Sequence, residues 1–266
     1  MLVASIVATS LTALAQCPNN EIWYTTRDGK KAELYGGLFL DSSKPNLKIV
    51  SHTYANGKGV IRANGPIKYF GYFEPGGVGF ELSLNVDTIT FPDCLEGFIS
   101  NYFDNIKTFK GKLASADGRC IIKNGELIAF APEGLTEYTI PSGITKIGDY
   151  VFQDCDNLTS ITIPYGVTTI GKGAFSRCSN LRSITIPNSV TTIEEGALFY
   201  CGLTSITIPS SVTKIEPCAF ECCDLTSINI PNGVREIKCS TFASCTNLRS
   251  VTISNSVTRI GSGAFA

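Results

Sequence analysis

Eleven cysteines and a single histidine are the side chains of this 266-residue chain best suited to chemistry. Thiols can close disulfides, bind metal or attack electrophiles, and which they do depends on where the chain holds them. Five of them, Cys155, Cys178, Cys201, Cys223 and Cys245, recur at one position of a repeat. They are expected to stack as small buried hydrophobes. Neighbouring sulfurs in such a ladder come near bonding distance, but parallel Cβ vectors make the disulfide dihedral hard to reach. Cys218, Cys222 and Cys239 lie off the ladder. Cys218 and Cys239 fall one residue apart in repeat register on adjacent units, so a disulfide between them stands as a candidate beside two free thiols. Cys222-Cys223 lacks a second cysteine or histidine pair at ligand spacing, so no metal site is expected.

Catalytic candidates are few. A Ser-His or Cys-His pair could be built only around His52, in an irregular N-terminal segment, where a surface or cap histidine is the simpler reading. Ile170-Gly171-Lys172-Gly173 has glycines and a lysine but not the spacing of a phosphate loop, and its glycines recur as repeat turns. Glu194-Glu195 and Asp154-Cys155-Asp156 also fall on turn positions, as solvated acids. Asn157-Leu158-Thr159 fits a glycosylation acceptor, yet the asparagine recurs at Asn180 and Asn247 without the threonine, which favours a turn-forming role. No catalytic residue, cofactor or enzymatic activity is expected.

The elements that carry these residues follow from the period. Leu135, Leu158, Leu181, Leu203, Leu225 and Leu248 are spaced by 23, 23, 22, 22 and 23, which is the signature of a solenoid. Within a unit, L-x-x-I-x-I points Ile161 and Ile163 inward and Ser160 and Thr162 outward. Pro141, Pro164, Pro187, Pro209 and Pro231 then close the strand, because proline has no N–H for the next ladder bond. V-x-x-I, as in Val167 and Ile170, returns apolar side chains along the opposite wall as short strands or 3₁₀ turns. G-x-x-A-F drops Phe152, Phe175, Phe220, Phe242 and Phe265 inward. Six stacked units at about 4.8 Å extend the array by roughly 25 to 30 Å. Leu198 in place of phenylalanine and the two 22-residue units predict an irregularity near Ala197 to Asp224.

The string I-P-x-x-V-x-x-I-G-x-x-A-F-x-x-C from Leu135 to Ala266 resembles the BspA-like family of bacterial surface leucine-rich repeats. The resemblance implies a β-rich leucine-rich repeat solenoid with one parallel strand per repeat, and a role in adhesion to host proteins such as extracellular-matrix components or in contact between cells. Val86 to Pro92 with Tyr102-Phe103 reads as a weaker copy, and Ile67 to Phe73 as a more eroded one.

The rest of the chain is organised around that array. Residues 1–15 are one apolar stretch ending in Ala13-Leu14-Ala15, a signal peptide pattern without a basic start. Cleavage after Ala15 and lipid attachment at Cys17 both remain open. Residues 16–59 read as an N-terminal cap beginning with a hairpin at Ile22–Thr26 and Asp28-Gly29, and residues 60–134 as degenerate repeats. An inserted hairpin spans 117–130 around Asn124-Gly125, and residues 135–266 are the regular repeats, the last incomplete. A net charge of -1, from 22 basic and 23 acidic residues, gives no field to attract nucleic acid. No transmembrane span is expected in the mature chain.

Outward strand positions align into a ribbon of Ser160, Thr162, Ser183, Thr185, Ser205, Thr207, Ser227 and Asn229, with Glu137, Thr139, Ser250 and Thr252 at its ends and Arg182 and Arg249 at its edge. Such a face suits an extended protein or glycan partner, because short side chains lose little entropy on binding. The alternative is a spacer or stalk presenting another domain, with Ser and Thr only keeping the face soluble. The sequence stops before its last repeat reaches the Cys position, so either further repeats follow in the full protein or this uncapped edge packs against another copy.

Overall fold

A computed structural model describes residues 18–32, 34–35, 47–70, 81–82, 86–98, 103 and 105–266. The leader 1–15, Cys17, Tyr102 and the end of the Ile67–Phe73 copy lie outside the described residues. Among those described, the regular elements are strands and turns, with no helix.

The N-terminal region forms β1 (Glu21–Thr26), β2 (Leu34–Tyr35), β3 (Ile49–Ala55), β4 (Lys58–Ala63), β5 (Tyr69–Phe70), β6 (Glu81–Leu82), β7 (Val86–Thr90), β8 (Gly97–Phe98) and β9 (Thr108–Lys110). Ile22–Thr26 is a strand, but Asp28-Gly29 does not fold a hairpin onto it. β1 instead runs antiparallel between β4 and β7, with Trp23 opposite Val60 on one side and Thr90 on the other. Long-range burial decides this pairing: Ile22 and Tyr24 share a core with Ile61, Ala63, Val86 and Ile89. The tight hairpin here is β3–β4, turning at Asn56-Gly57, whose φ values of 51° and 77° fit a type I′ turn. β9 joins β7 in parallel, Thr88 opposite Thr108, at the far side of the same sheet.

The second Asn-Gly pair builds the hairpin β10 (Cys120–Lys123) and β11 (Glu126–Phe130), with Asn124 and Gly125 again at positive φ. Its two faces bury against different cores. Ile121, Ala129 and Ala131 pack with the N-terminal sheet, while Cys120, Leu127 and Phe130 pack with the repeats. The hairpin is therefore a wall common to both halves.

Beyond it the units wind as three walls. The first consists of β12 (Glu137–Thr139), then, after β13 (Lys146–Ile147) on the second wall, β14 (Ser160–Thr162). The alternation continues with β15 (Thr169–Ile170), β16 (Ser183–Thr185), β17 (Thr192–Ile193), β18 (Lys214–Ile215), β19 (Ser227–Ile230), β20 (Glu236–Ile237), β21 (Ser250–Ile253) and β22 (Arg259–Ile260). On the first wall β12, β14 and β16 pair in parallel and in register, Ile161 beside Ile184, and β19 pairs with β21. On the second, β11 starts a parallel run through β13, β15 and β17 to β18, and β20 pairs with β22.

The third wall is made of the A-F turns. Each turn donates from its aromatic position to the next: Phe152 N–H to Ala174 O, Phe175 to Ala197, Leu198 to Ala219, Phe220 to Thr241 and Phe242 to Ala264, all within 2.8–2.9 Å. Two residues per turn adopt positive φ, four apart, as at Tyr150 and Asp154, Cys218 and Cys222, or Ser240 and Ser244. Behind these turns the rings stack, Phe152 on Phe175 at 5.0 Å and Phe220 on Phe242 at 5.3 Å. Those distances match the rung spacing of the strands, and Leu198 separates the two stacks.

Candidate ligand-binding face

The register of β14 and β16 sets Ser160 beside Ser183 and Thr162 beside Thr185, and that of β19 and β21 sets Ser227 beside Ser250 and Asn229 beside Thr252. Inward neighbours Ile161, Ile184 and Ile228 are buried, which holds the alternate side chains outward. Between β16 and β19 the expected strand is missing. Residues 203–208 carry the L-x-x-I-x-I pattern but are not in a strand, and no backbone–backbone hydrogen bond reaches Ser205, Ile206 or Thr207.

The interruption falls where the chain is one residue shorter. Cys155 to Leu158 and Cys178 to Leu181 are steps of three, whereas Cys201-Gly202-Leu203 and Cys223-Asp224-Leu225 are steps of two. The Leu225 unit shares the short step, and its strand β19 pairs only with β21 on the far side. Arg182 fills part of the gap, donating from its guanidinium to the carbonyls of Gly202 and Ser179 and pairing with Asp224 at 3.5 Å. Gly202 allows this, since a Cβ there would lie within 1.8 Å of the guanidinium.

A trough of about 740 Å³ opens over this stretch, walled by Ser183, Thr185, Ser205, Thr207, Ser227, Asn229, Ser250 and Thr252, with Arg182 at one end. It gathers most of the ribbon named from sequence and leaves parts out. Ser160 and Thr162 lie on β14, outside the trough. Arg249 lines a separate hollow with Phe242, Leu248 and Phe265. Arg182 is at the site, but its cationic group is occupied by the carbonyls it bridges. The irregularity expected near Ala197 to Asp224 falls here, at Cys201-Gly202-Leu203, which like Cys223-Asp224-Leu225 lacks the turn asparagine of the other units.

The cysteine ladder does more than fill space. Cys178 donates its S–H to Phe152 O, Cys201 to Phe175 O, Cys223 to Leu198 O and Cys245 to Phe220 O, at 3.0–3.1 Å. Each thiol thereby adds a donor to a carbonyl of the preceding turn, and Phe152 O, Phe175 O and Phe220 O also accept from the backbone N–H groups of Cys155, Cys178 and Cys223. Burial pushes the Cys201 and Cys223 thiols well above the ordinary range, so these sulfurs stay protonated and inert. Cys218 and Cys239 are both free thiols.

His52 meets the Tyr24 hydroxyl at 2.7 Å, which also accepts from Ala32 N–H at 3.2 Å. Burial, with the field of Lys31, lowers the His52 pKa. The nearby Glu21 is held by Arg62 and by Trp23 Nε1 at 2.6 Å. This cluster braces the N-terminal sheet. Asn180, read as turn-forming, also donates across to Asp156 O of the preceding unit at 2.9 Å. Among the described residues there is no cluster of three or more metal-ligating side chains, and no helix is long and apolar enough to cross a membrane.

The sequence profile of the BspA type leucine-rich repeat region matches six copies over residues 125–201 and 171–266, more than half of the chain. The chain belongs to the BspA-type leucine-rich repeat family. Its repeats form the solenoid scaffold of that family, and the match begins in the β10–β11 hairpin, at Gly125. Among solved structures, a leucine-rich repeat protein from Bacteroides ovatus is 32% identical over 53% of this chain and 39% of its own, with a TM-score of 0.47. A leucine-rich cell surface protein from Faecalibacterium prausnitzii is 29% identical over 63% of this chain and 48% of its own, with a TM-score of 0.53. The chain thus spans less than half the length of either. No curated protein matches it.

Proposed function

We propose that this chain is a non-enzymatic, exported and surface-displayed binding module that engages an extended protein or glycan partner along the trough over residues 203–208, in adhesion or cell contact. The observation that carries this reading is the interrupted ladder. It leaves the backbone donors and acceptors of Ser205, Ile206 and Thr207 for a ligand, within a row of exposed hydroxyls and one carboxamide. An extended chain can meet both sets at once, because its own backbone offers donors and acceptors at strand spacing. The cell-surface naming of the Faecalibacterium relative supports display outside the cell, as does the apolar leader read in residues 1–15.

The test is a screen of the purified chain against extracellular-matrix proteins and glycans, repeated with Thr207→Arg and Asn229→Arg. Loss of at least about tenfold in affinity, with an unchanged melting curve, is the expected result, since each arginine fills the trough without touching the core. Equal binding by both variants rejects the trough as the site. A chain that binds nothing in the screen favours the spacer or stalk reading, for which the scarcity of aromatic and charged side chains on the ribbon speaks.

A further inference from the structure

The second and third walls differ in continuity where the Leu203 unit meets the Leu225 unit. On the second wall β18 ends its sheet at Lys214–Ile215 and β20 begins another at Glu236–Ile237. On the first wall a single backbone bond, Thr226 N–H to Thr204 O at 3.1 Å, crosses the junction. The A-F wall is the one that stays laddered, through Cys218 N–H to Cys239 O, Phe220 to Thr241 and Cys222 to Ala243. Two of the three off-ladder cysteines in the regular repeats are therefore hydrogen-bonded neighbours across the weakest joint of the array. Cys239 is exposed and Cys218 half-buried, both as free thiols. The backbone bond between them at 3.2 Å brings their Cα atoms into the range that disulfides span. Cys222 has Ser244 as its register partner and donates its N–H to Ala243 O, and the cysteine near it on that turn, Cys245, is a buried ladder thiol bonded to Phe220 O.

We infer that Cys218 and Cys239 form a redox-closable staple across this joint, oxidised by a low-molecular-weight disulfide. The exposed Cys239 thiolate attacks one sulfur of the small disulfide, whose S–S bond breaks and releases one thiolate. The Cys218 thiol then loses its proton to solvent and attacks Cys239 Sγ, expelling the second thiolate. In sum one dithiol is oxidised to a protein disulfide and one small disulfide is reduced to two thiols. Burial, together with the hydrogen-bonded Glu221 carboxylate, pushes Cys218 up to about 12. The closing step is accordingly the slow one, and it speeds up as pH rises. The inference does not depend on the identity of any ligand for the trough.

The experiment treats the reduced chain with excess oxidised glutathione under native conditions, at several pH values, and stops it by acid. Expected is a loss of two hydrogens, faster at higher pH, with a tryptic link between Ile215–Arg235 and Cys239–Arg249. Because both peptides hold further cysteines, C218S, C222S and C239S are run in parallel. The link should survive C222S and vanish in C218S and C239S, with C218S retaining glutathione on Cys239. The oxidised form should melt about 5 to 10 °C higher, as closure of a loop one unit long predicts. The staple is overturned if glutathione stays on Cys239 of the unmodified sequence at every pH, if the link persists in C239S, or if oxidation leaves the melting point unmoved.

Discussion

The Leu158 and Leu181 units and the Leu203 unit have nearly the same interior and different exteriors. In all three, leucine, valine and cysteine are buried, as are the isoleucines except the half-buried Ile206, and the A-F turns are hydrogen-bonded to their neighbours. Yet β14 and β16 pair in register while residues 203–208 pair with neither side. The Leu203 unit has one residue fewer between cysteine and leucine, as does the Leu225 unit beside it. Core packing tolerates the shortening because it is non-directional, whereas a strand ladder has a strict period and does not.

Truncating the shared interior should hurt both regions alike and cost the most. Phe175→Ala removes a fully buried ring stacked on Phe152, with an expected loss of about 3 to 5 kcal/mol by denaturant unfolding. Leu198→Ala should cost about 2 to 5 kcal/mol. If either variant lost less than a surface substitution does, the picture of one continuous core would break.

The exterior difference is sharpened by a pair of arginines at the same repeat position. Arg182→Ala should cost about 1 kcal/mol, because Gly202 O and Ser179 O lose their donor. Arg249→Ala, whose guanidinium bridges no such pair of carbonyls, should stay within about 0.5 kcal/mol of zero. Inserting Asn between Gly202 and Leu203 restores the longer step, and should slow amide exchange at Ser205 and Thr207 while making Arg182 dispensable. Unchanged exchange after the insertion would show that the loop length is not the cause.

The smallest effect concerns the first regular turn, where Tyr138 replaces the isoleucine of later units. Its hydroxyl donates to Asp117 at 2.9 Å, which also accepts from Ser115 Oγ and Arg119 N–H. Burial raises the Asp117 pKa, but these donors outweigh it and the net shift is downward. A carboxylate with a lowered folded pKa stabilises above its unfolded value, near 3.8, and that stability is lost as pH falls through the folded value. Wild type should therefore lose slightly more stability than Asp117→Asn on acidification below about pH 4, measured by paired urea titrations. Parallel acid curves would remove Asp117 from this joint.

Much of this was legible from spacing alone. The leucine period, the prolines and the I-x-I alternation gave the walls, and the 22-residue units marked where the walls open. Asn124-Gly125 gave the hairpin, and Cys120, Ile121, Leu127 and Ala129 already alternate toward two sides. The partners of β1 were not legible, because nothing local to Asp28-Gly29 records that β4 and β7 bury Ile22 and Tyr24 better than a hairpin would. Nor were the positive-φ pairs, since Tyr150, Arg177 and Ser240 are residue types that seldom adopt such φ. The thiol-to-carbonyl bonds escaped notice for a similar reason: a buried cysteine reads as a small hydrophobe until its acceptor is seen. For the ribbon, sequence named the side chains correctly as outward but could not foresee that Arg182 would be turned back onto the chain.

The double-faced hairpin sets where the molecule can be divided. A fragment cut before Leu135 would strip Phe130 from Phe152 and Leu127 from its neighbours, leaving its first turn greasy and prone to clump. One cut before β10 would keep that turn sealed and bare Ile121, Ile128, Ala129 and Ala131. Anyone trimming the protein for crystals or for display should begin upstream of Ser115, carrying the lid along with the coil it closes.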